Sequence, residues 1–282
     1  MKDKRILNLI RLALEEDIGD GDHTTLACIE PHASGKAELM VKQAGVIAGV
    51  EVAAMVFAAF ESGLVMEVLI PDGTCVKPGD RAFMVSGPKR SILQTERLVL
   101  NFMQRMSGIA TLTAQYVAKL NGTKARVLDT RKTSPNLRWF EKEAVRLGGG
   151  QNHRMGLYDM VMIKDNHIDF SGGISQAIEK TIHYLQARQL KLKIEVEARN
   201  LGEVSEILET GRVDRILLDN MTPAQVAEAV TLINGMIETE ASGRINLTNI
   251  RDYALAGVDF ISVGALTHQL ASLDLSLKAK LP

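Results

Sequence analysis

Cysteine is scarce in this chain. Cys28 and Cys75 are the two in 282 residues, far apart and outside any CxxC or Cys/His spacing, which excludes a structural zinc site or a disulfide framework. A reducing cytoplasm is the expected compartment. Long apolar runs are also missing: the amino terminus, Met1-Lys-Asp-Lys-Arg5, leads into a segment interrupted by Asn8, Arg11, Glu15 and Glu16 instead of a continuous signal region. No stretch approaches a membrane span. Nor does one charge dominate. At a net charge of −1, no whole-molecule attraction to nucleic acid or membrane is expected, so selectivity for an anion has to come from placement. What is present is 46% hydrophobic residues, ample for a core in one large domain or two modest ones.

Ile6, Leu7, Ile10 and Leu14 share one face at helical spacing and predict a first helix ending near Asp17. The following Asp17-Ile-Gly-Asp-Gly-Asp22 resembles a calcium loop superficially, but Cys28 stands where the bidentate glutamate belongs, so calcium is rejected and an Asp/Gly-rich turn is expected. From Gly35 to Gly87 short β-like runs (36–41, 65–70, 81–85) surround one helical stretch near 50–60, predicting a small sheet domain. A long helical region runs from Ser91 to about Leu120, with Leu93, Leu98, Leu100, Phe102, Met103 and Met106 as expected core and Gly108 as the expected break. From Ala125 strands near 126–128, 160–163, 193–196, 215–218, 235–237 and 260–263 alternate with helices near 175–188, 201–209, 223–232 and 247–256. That rhythm predicts an α/β class with a parallel α/β barrel, whether closed or open, behind a smaller α+β domain. The expected division is residues 1–115 and 116–282, with the last residues returning to the first domain.

Cations, glycines and histidines concentrate between Val127 and Asp169. The apolar Val127–Leu128 delivers Asp129-Thr-Arg-Lys-Thr-Ser-Pro135 and Arg138; then come Gly148-Gly-Gly-Gln-Asn-His-Arg-Met-Gly-Leu157, and a second apolar run, 160–163, delivers Lys164-Asp-Asn-His167. Any one of these cations reads most simply as a solvated surface charge, and a glycine triplet as a loop. Together, at the ends of two strands, Arg131, Lys132, Arg138, His153, Arg154 and Lys164 imply a polyanionic ligand. Polar groups recur at later strands too: Glu195 and Glu197, Asp219–Asn220, Glu240 to Gly243, and Gly264. A site built on barrel loops requires such recurrence.

The run Thr130-Arg-Lys-Thr-Ser-Pro-Asn-Leu-Arg138, followed in order by Gly148 to Leu157 and Lys164-Asp-Asn-His167, resembles the quinolinate phosphoribosyltransferases. The likeness extends from Glu16-Asp-Ile-Gly-Asp-Gly-Asp-His-Thr-Thr25 to Asp274-Leu-Ser-Leu277. It implies conversion of quinolinate and 5-phosphoribosyl 1-pyrophosphate to nicotinate mononucleotide, CO2 and pyrophosphate in NAD biosynthesis. It also implies quinolinate binding by Arg105, Arg131, His153, Arg154 and Lys164, and phosphoribosyl pyrophosphate or metal binding by Lys132, Glu197, Asp219, Ser242, Gly243 and Gly264. Mg²⁺ on Glu197 and Asp219 is expected, as is a homodimer in which Arg105 reaches the neighbouring subunit's site.

Lys132, Glu197 and Asp219 are the expected catalytic set. Glu195 either orients a ligand or is a paired buried acid. Asp165, Asn166 and His167 match the family run, and a loop-bracing role suits them as well as any. Many relatives carry two glycines after the serine, whereas this chain has Ser242-Gly243-Arg244, so Arg244 either strains the phosphate loop or adds a contact to it. Two competing readings are a non-catalytic anion-binding relative and a barrel aldolase with Lys164 as Schiff-base lysine.

Overall fold

The structure, a computed structural model, describes residues 2–280. In chain order it contains α1 (Lys2–Ile18), α2 (His23–Cys28), β1 (Ser34–Val41), β2 (Gly45–Val46), α3 (Val50–Phe60), β3 (Val65–Val68), β4 (Cys75–Val76), β5 (Arg81–Pro88) and α4 (Lys89–Lys119). Then follow β6 (Arg126–Leu128), α5 (Arg138–Leu147), β7 (Val161–Ile163), α6 (Asp165–Ser171), α7 (Ile174–Ala187), β8 (Ile194–Ala198) and α8 (Leu201–Thr210). The chain continues with β9 (Arg215–Asp219), α9 (Pro223–Ile233), β10 (Glu238–Ser242), α10 (Ile250–Leu255), β11 (Phe260–Ser262), α11 (Ala265–His268) and β12 (Leu275–Lys280). Two compact units result: Met1–Ala114 with Ser134–Gly149 and Gln269–Pro282, and Gln115–Thr133 with Gly150–His268. A single cut near residue 115 does not describe this division, because the segment 134–149 belongs with the first unit.

In the first unit the antiparallel order β12-β1-β5-β3 forms one sheet. Ala37, Leu39 and Val41 alternate inward along β1, and Leu275 and Leu277 do so on β12, the two-residue period of a half-buried strand. Ile6, Ile10 and Leu14 of α1 are buried as their spacing predicts. Asp22 caps α2, its Oδ1 accepting the Thr25 N–H at 3.0 Å, so the Asp/Gly-rich turn leads into a short helix. Two expectations for α4 fail. Gly108 does not break the helix; a side chain there would collide with the Ala271 carbonyl, so the glycine admits a neighbouring chain. Leu93 is 39% exposed and not core.

The second unit is a six-stranded parallel sheet in the order β6-β11-β10-β9-β8-β7. β6 and β7 are its two ends and do not pair, so the barrel is open. Thr222 begins α9 with a capping box and Pro223 in its first turn, as the sequence predicts. The strand expected at 235–237 lies instead at Glu238–Ser242. Asn234 and Gly235 have φ of +47° and +73° and form the turn after α9. The strand escaped a hydrophobic reading because it is Glu-Thr-Glu-Ala-Ser, although Thr239, Glu240 and Ala241 are all buried. Among the described residues no helix is long and apolar enough to cross a membrane.

Candidate active site

Ten of the expected site residues fall in the second unit at the carboxyl ends of its strands. Arg131 and Lys132 follow β6, Lys164 follows β7, Glu197 lies near the end of β8, Asp219 ends β9, Ser242 ends β10 and Gly264 follows β11. His153 and Arg154 sit just past Gln151, which bridges to Leu128 alongside β6. The Lys164 Nζ is 3.6 Å from Glu197 Oε2. Burial raises the Glu197 pKa, and the nearby charges of Asp219 and Asp165 push the same way against Lys164. Burial likewise lowers the Arg154 pKa, and the charge of Arg131 adds to it. Like charges therefore meet in two places, Arg131 beside Arg154 and Asp219 and Asp165 beside Glu197, the latter partly offset by Lys164. An arrangement of that kind is relieved by an anion and a cation respectively.

Asp129, fully buried, builds the cationic corner. Its Oδ1 accepts the His153 N–H at 2.8 Å and its Oδ2 the Asn152 side-chain amide at 2.7 Å. The Arg154 Nη1 donates to the Met160 carbonyl at 3.1 Å, and Asp159 accepts the N–H groups of Met155 and Gly156 at 2.7 and 2.8 Å. The Lys164 N–H donates to His167 Nδ1 at 2.9 Å, so His167 braces the start of α6.

Beneath that corner lies a cluster the sequence did not assemble. His153 Nε2 is 2.9 Å from Glu195 Oε2 and 3.5 Å from Glu240 Oε2, the three side chains being nearly inaccessible. Arg215 Nη1 lies 2.8 Å from the same Glu240 oxygen, and its guanidinium covers the Phe260 ring at 3.9 Å. Although burial opposes a charged imidazole, the two carboxylates raise the His153 pKa to about 9. Burial, reinforced by the charge of Glu240, raises Glu195 to about 7. Glu240 is equally buried, yet His153 and Arg215 hold it below the ordinary value. Meanwhile His153 Nδ1 accepts the Arg154 N–H at 2.7 Å, which an imidazolium has no lone pair to do. That contact fixes the Nε2-protonated neutral ring in this conformation, and a second proton would have to displace it. Glu195 is thus a paired buried acid. His153, Glu195 and Glu240 offer ligand atoms within 4.8 Å of one another, but Arg215 and the ring proton already offset the carboxylates.

On the opposite edge of the mouth the backbone is the reagent. Gly243 has φ +99°, and a Cβ there would lie 2.9 Å from Asn220 Cα, so only glycine fits beside β9. Arg244 follows at φ +51°, the left-handed conformation in which a side chain is disfavoured; of the two readings of this departure, strain is the one its backbone supports. A Cβ on Gly264 would meet His268 Nε2 at 3.1 Å and Lys132 Cδ at 3.3 Å. Thr267 Oγ1 donates to the Lys132 carbonyl at 2.6 Å. The sequence alone assigns no role to Asp129, Glu240 or His268. A repeated Glu-x-Glu in β8 and β10 was the available sign for Glu240.

Arg105 belongs to the first unit. Its Nε and Nη2 donate to Glu141 Oε1 at 2.9 and 2.6 Å and its Nη2 to Ser134 Oγ at 2.9 Å. Glu141 is buried while Arg105 stays 32% exposed.

The described N-terminal and C-terminal domains of quinolinate phosphoribosyl transferase match residues 22–107 and 109–278. The chain belongs to the quinolinate phosphoribosyltransferase family. It is 46% identical over 285 aligned positions to "Quinolinate phosphoribosyltransferase [decarboxylating] 1b" of Nicotiana tabacum, covering 96% of this chain and 81% of that protein. The same figures hold for the chloroplastic "Nicotinate-nucleotide pyrophosphorylase [carboxylating]" of Arabidopsis thaliana. Among solved structures, NadC from Streptococcus pyogenes superposes with a TM-score of 0.91 at 40% identity, covering 97% of this chain and 96% of that one. Family and fold together establish the phosphoribosyltransferase class and the open α/β barrel architecture.

Proposed function

We propose that this chain transfers the 5-phosphoribosyl group of 5-phosphoribosyl 1-pyrophosphate to the ring nitrogen of quinolinate, releasing pyrophosphate and CO2 and leaving nicotinate mononucleotide. The observation that carries the reading is the pairing of a cationic corner, in which burial and then the charge of Arg131 disfavour the charge of Arg154, with carboxylates at the ends of adjacent strands β8 and β9. A dicarboxylate suits the first and a cation-bound pyrophosphate the second.

In this reading Arg131, His153, Arg154 and Lys164 hold the two carboxylates of quinolinate and aim its nitrogen at the anomeric carbon, so that orientation supplies much of the rate. Lys132 faces the departing pyrophosphate. The backbone at Ser242, Gly243 and Gly264 takes the 5′-phosphate as late barrel loops do. Glu197 and Asp219 fit a hard divalent ion, since the charge of Asp219 adds to the burial that disfavours an ionised Glu197 and oxygen ligands suit Mg²⁺. Mg²⁺ would supply charge neutralisation on pyrophosphate. Once the nitrogen is ribosylated its positive charge accepts the electron pair left as the adjacent carboxylate departs as CO2, and the protein need only hold the other carboxylate.

Lys164 is half-exposed beside Glu197, a poor setting for a Schiff-base lysine, which needs an apolar or cationic one. Incubating the protein with quinolinate, phosphoribosyl pyrophosphate and Mg²⁺ should yield equal amounts of nicotinate mononucleotide and CO2. Binding of both substrates without product would return the chain to a non-catalytic binder.

The assembly we infer is a homodimer with Arg105 completing the neighbour's site; its part-exposed guanidinium, oriented by Glu141, supports that role. If Arg105→Ala and Lys132→Ala are each inactive, subunit exchange should restore activity in about a quarter of sites, since one site of each mixed dimer has neither defect. Verified exchange without activity would confine Arg105 to its own chain. A cytoplasmic location is supported by the unpaired, exposed cysteines and is checked by cell fractionation.

A further inference from the structure

Two carboxylates buried inside a parallel sheet are costly. Apolar residues of similar volume would usually serve stability as well or better, and Glu195 and Glu240 are 0% and 1% exposed. They stand on β8 and β10, on either side of β9, whose Arg215 pairs in register with Glu195 and ion-pairs with Glu240. What they share is the Nε2 edge of one imidazole. The opposite nitrogen of that ring receives the Arg154 N–H, and the backbone N–H of the same histidine is tied to Asp129.

We propose that Glu195 and Glu240 are positioning residues: from inside the sheet they fix the tautomer and tilt of His153, and through its Nδ1 they lock the main-chain corner that presents Arg154 to the anion. The physical chain is short. The Glu195 carboxylate, 2.9 Å from Nε2, draws the ring proton to that nitrogen by its charge, as second partners orient histidines at catalytic and metal sites. Nδ1 is thereby kept as an acceptor, and the Arg154 N–H, otherwise unsatisfied in a partly buried turn, has one fixed partner. The loop from 148 to 156 is tied on either side of Arg154, by Gln151 to Val127 and His153 to Asp129 before it and by Met155 and Gly156 to Asp159 after it, so the Nδ1 contact is what fixes the Arg154 peptide between those ties.

The function given to this corner rests on the quinolinate reading, but the anchoring itself is measurable without substrate. Replacing Glu195 by Leu removes one acceptor and leaves Glu240 balanced by Arg215, so the fold should persist. Amide hydrogen exchange in residues 152–156 should then accelerate about tenfold while the other strands and helices keep their protection. Glu195→Gln, whose amide oxygen still accepts from Nε2–H, should restore most of it. In turnover the Leu variant should raise KM for quinolinate about tenfold and leave KM for phosphoribosyl pyrophosphate within twofold. An inactive wild type would refute the quinolinate reading alone; unchanged exchange at 152–156, or equal acceleration throughout the unit, would overturn the positioning role. Should the Leu variant not fold, nitrogen NMR of the wild type decides. The neutral His153 ring must carry its proton on Nε2, and the Nδ1-protonated form would end the proposal.

Discussion

Both sheets place glutamates on central strands, and they treat them in opposite ways. Glu38, on antiparallel β1, has its Oε1 3.3 Å from Arg81 Nη1 and 3.0 Å from Lys280 Nζ, with both partners half-exposed. Glu195 and Glu240, on the parallel sheet, are sealed in with a histidine and an arginine. An antiparallel sheet with one solvated face can let its charges stay in water, where an ion pair adds little. A barrel interior cannot, so each acid there needs a partner within reach. Cheap charges decorate the first sheet, and expensive ones in the second point to a constraint other than stability.

The sharpest break in that contrast is Glu240→Ala, which removes the buried partner of Arg215 Nη1, leaving Arg215 only the rim-side Glu238 at 3.1 Å, and takes one carboxylate from the edge of His153. It should destabilise the protein by on the order of 3–5 kcal/mol, read as the shift in a urea or thermal unfolding curve. A loss indistinguishable from an average surface substitution would mean that water enters the cluster freely. At the rim of the same unit, Arg154→Ala should leave the fold intact and weaken quinolinate binding by on the order of 2–5 kcal/mol. Titration calorimetry with unchanged quinolinate affinity would remove Arg154 from the site.

The smallest effect is expected from Glu38→Gln. Its carboxyl is held below the ordinary value chiefly by the hydrogen bond from Lys280, yet in solvent that coupling is screened and the melting temperature should not move measurably.

How much of this was legible beforehand follows from what each signal depends on. α3 and β6 were read at their actual bounds, and α9 to within a residue, because turn residues, caps and a 3.6- or two-residue apolar period are local. β10 was misplaced because its inward positions are polar, and burial of a glutamate leaves no mark on hydropathy. Gly108 looked like a break since a glycine's reason for being in a helix, here the Ala271 carbonyl, lies far along the chain. Among the candidate residues, recurrence points to those at strand ends, and the fold does put them at strand ends, whereas Asp129 and His268 leave no such mark, since their partners are set by folding.

The sequence by itself determined the alternation of strands and helices, the cations gathered after β6 and β7, and the family, because ordered motifs survive without coordinates. Only the tertiary structure decided that the barrel is open, that β12 closes the first sheet beside β1, and that Glu195, Glu240, Arg215 and His153 form one buried cluster. The reason is physical: which charges share a low-dielectric space depends on strand order and register, and those are fixed by packing between segments far apart in the chain.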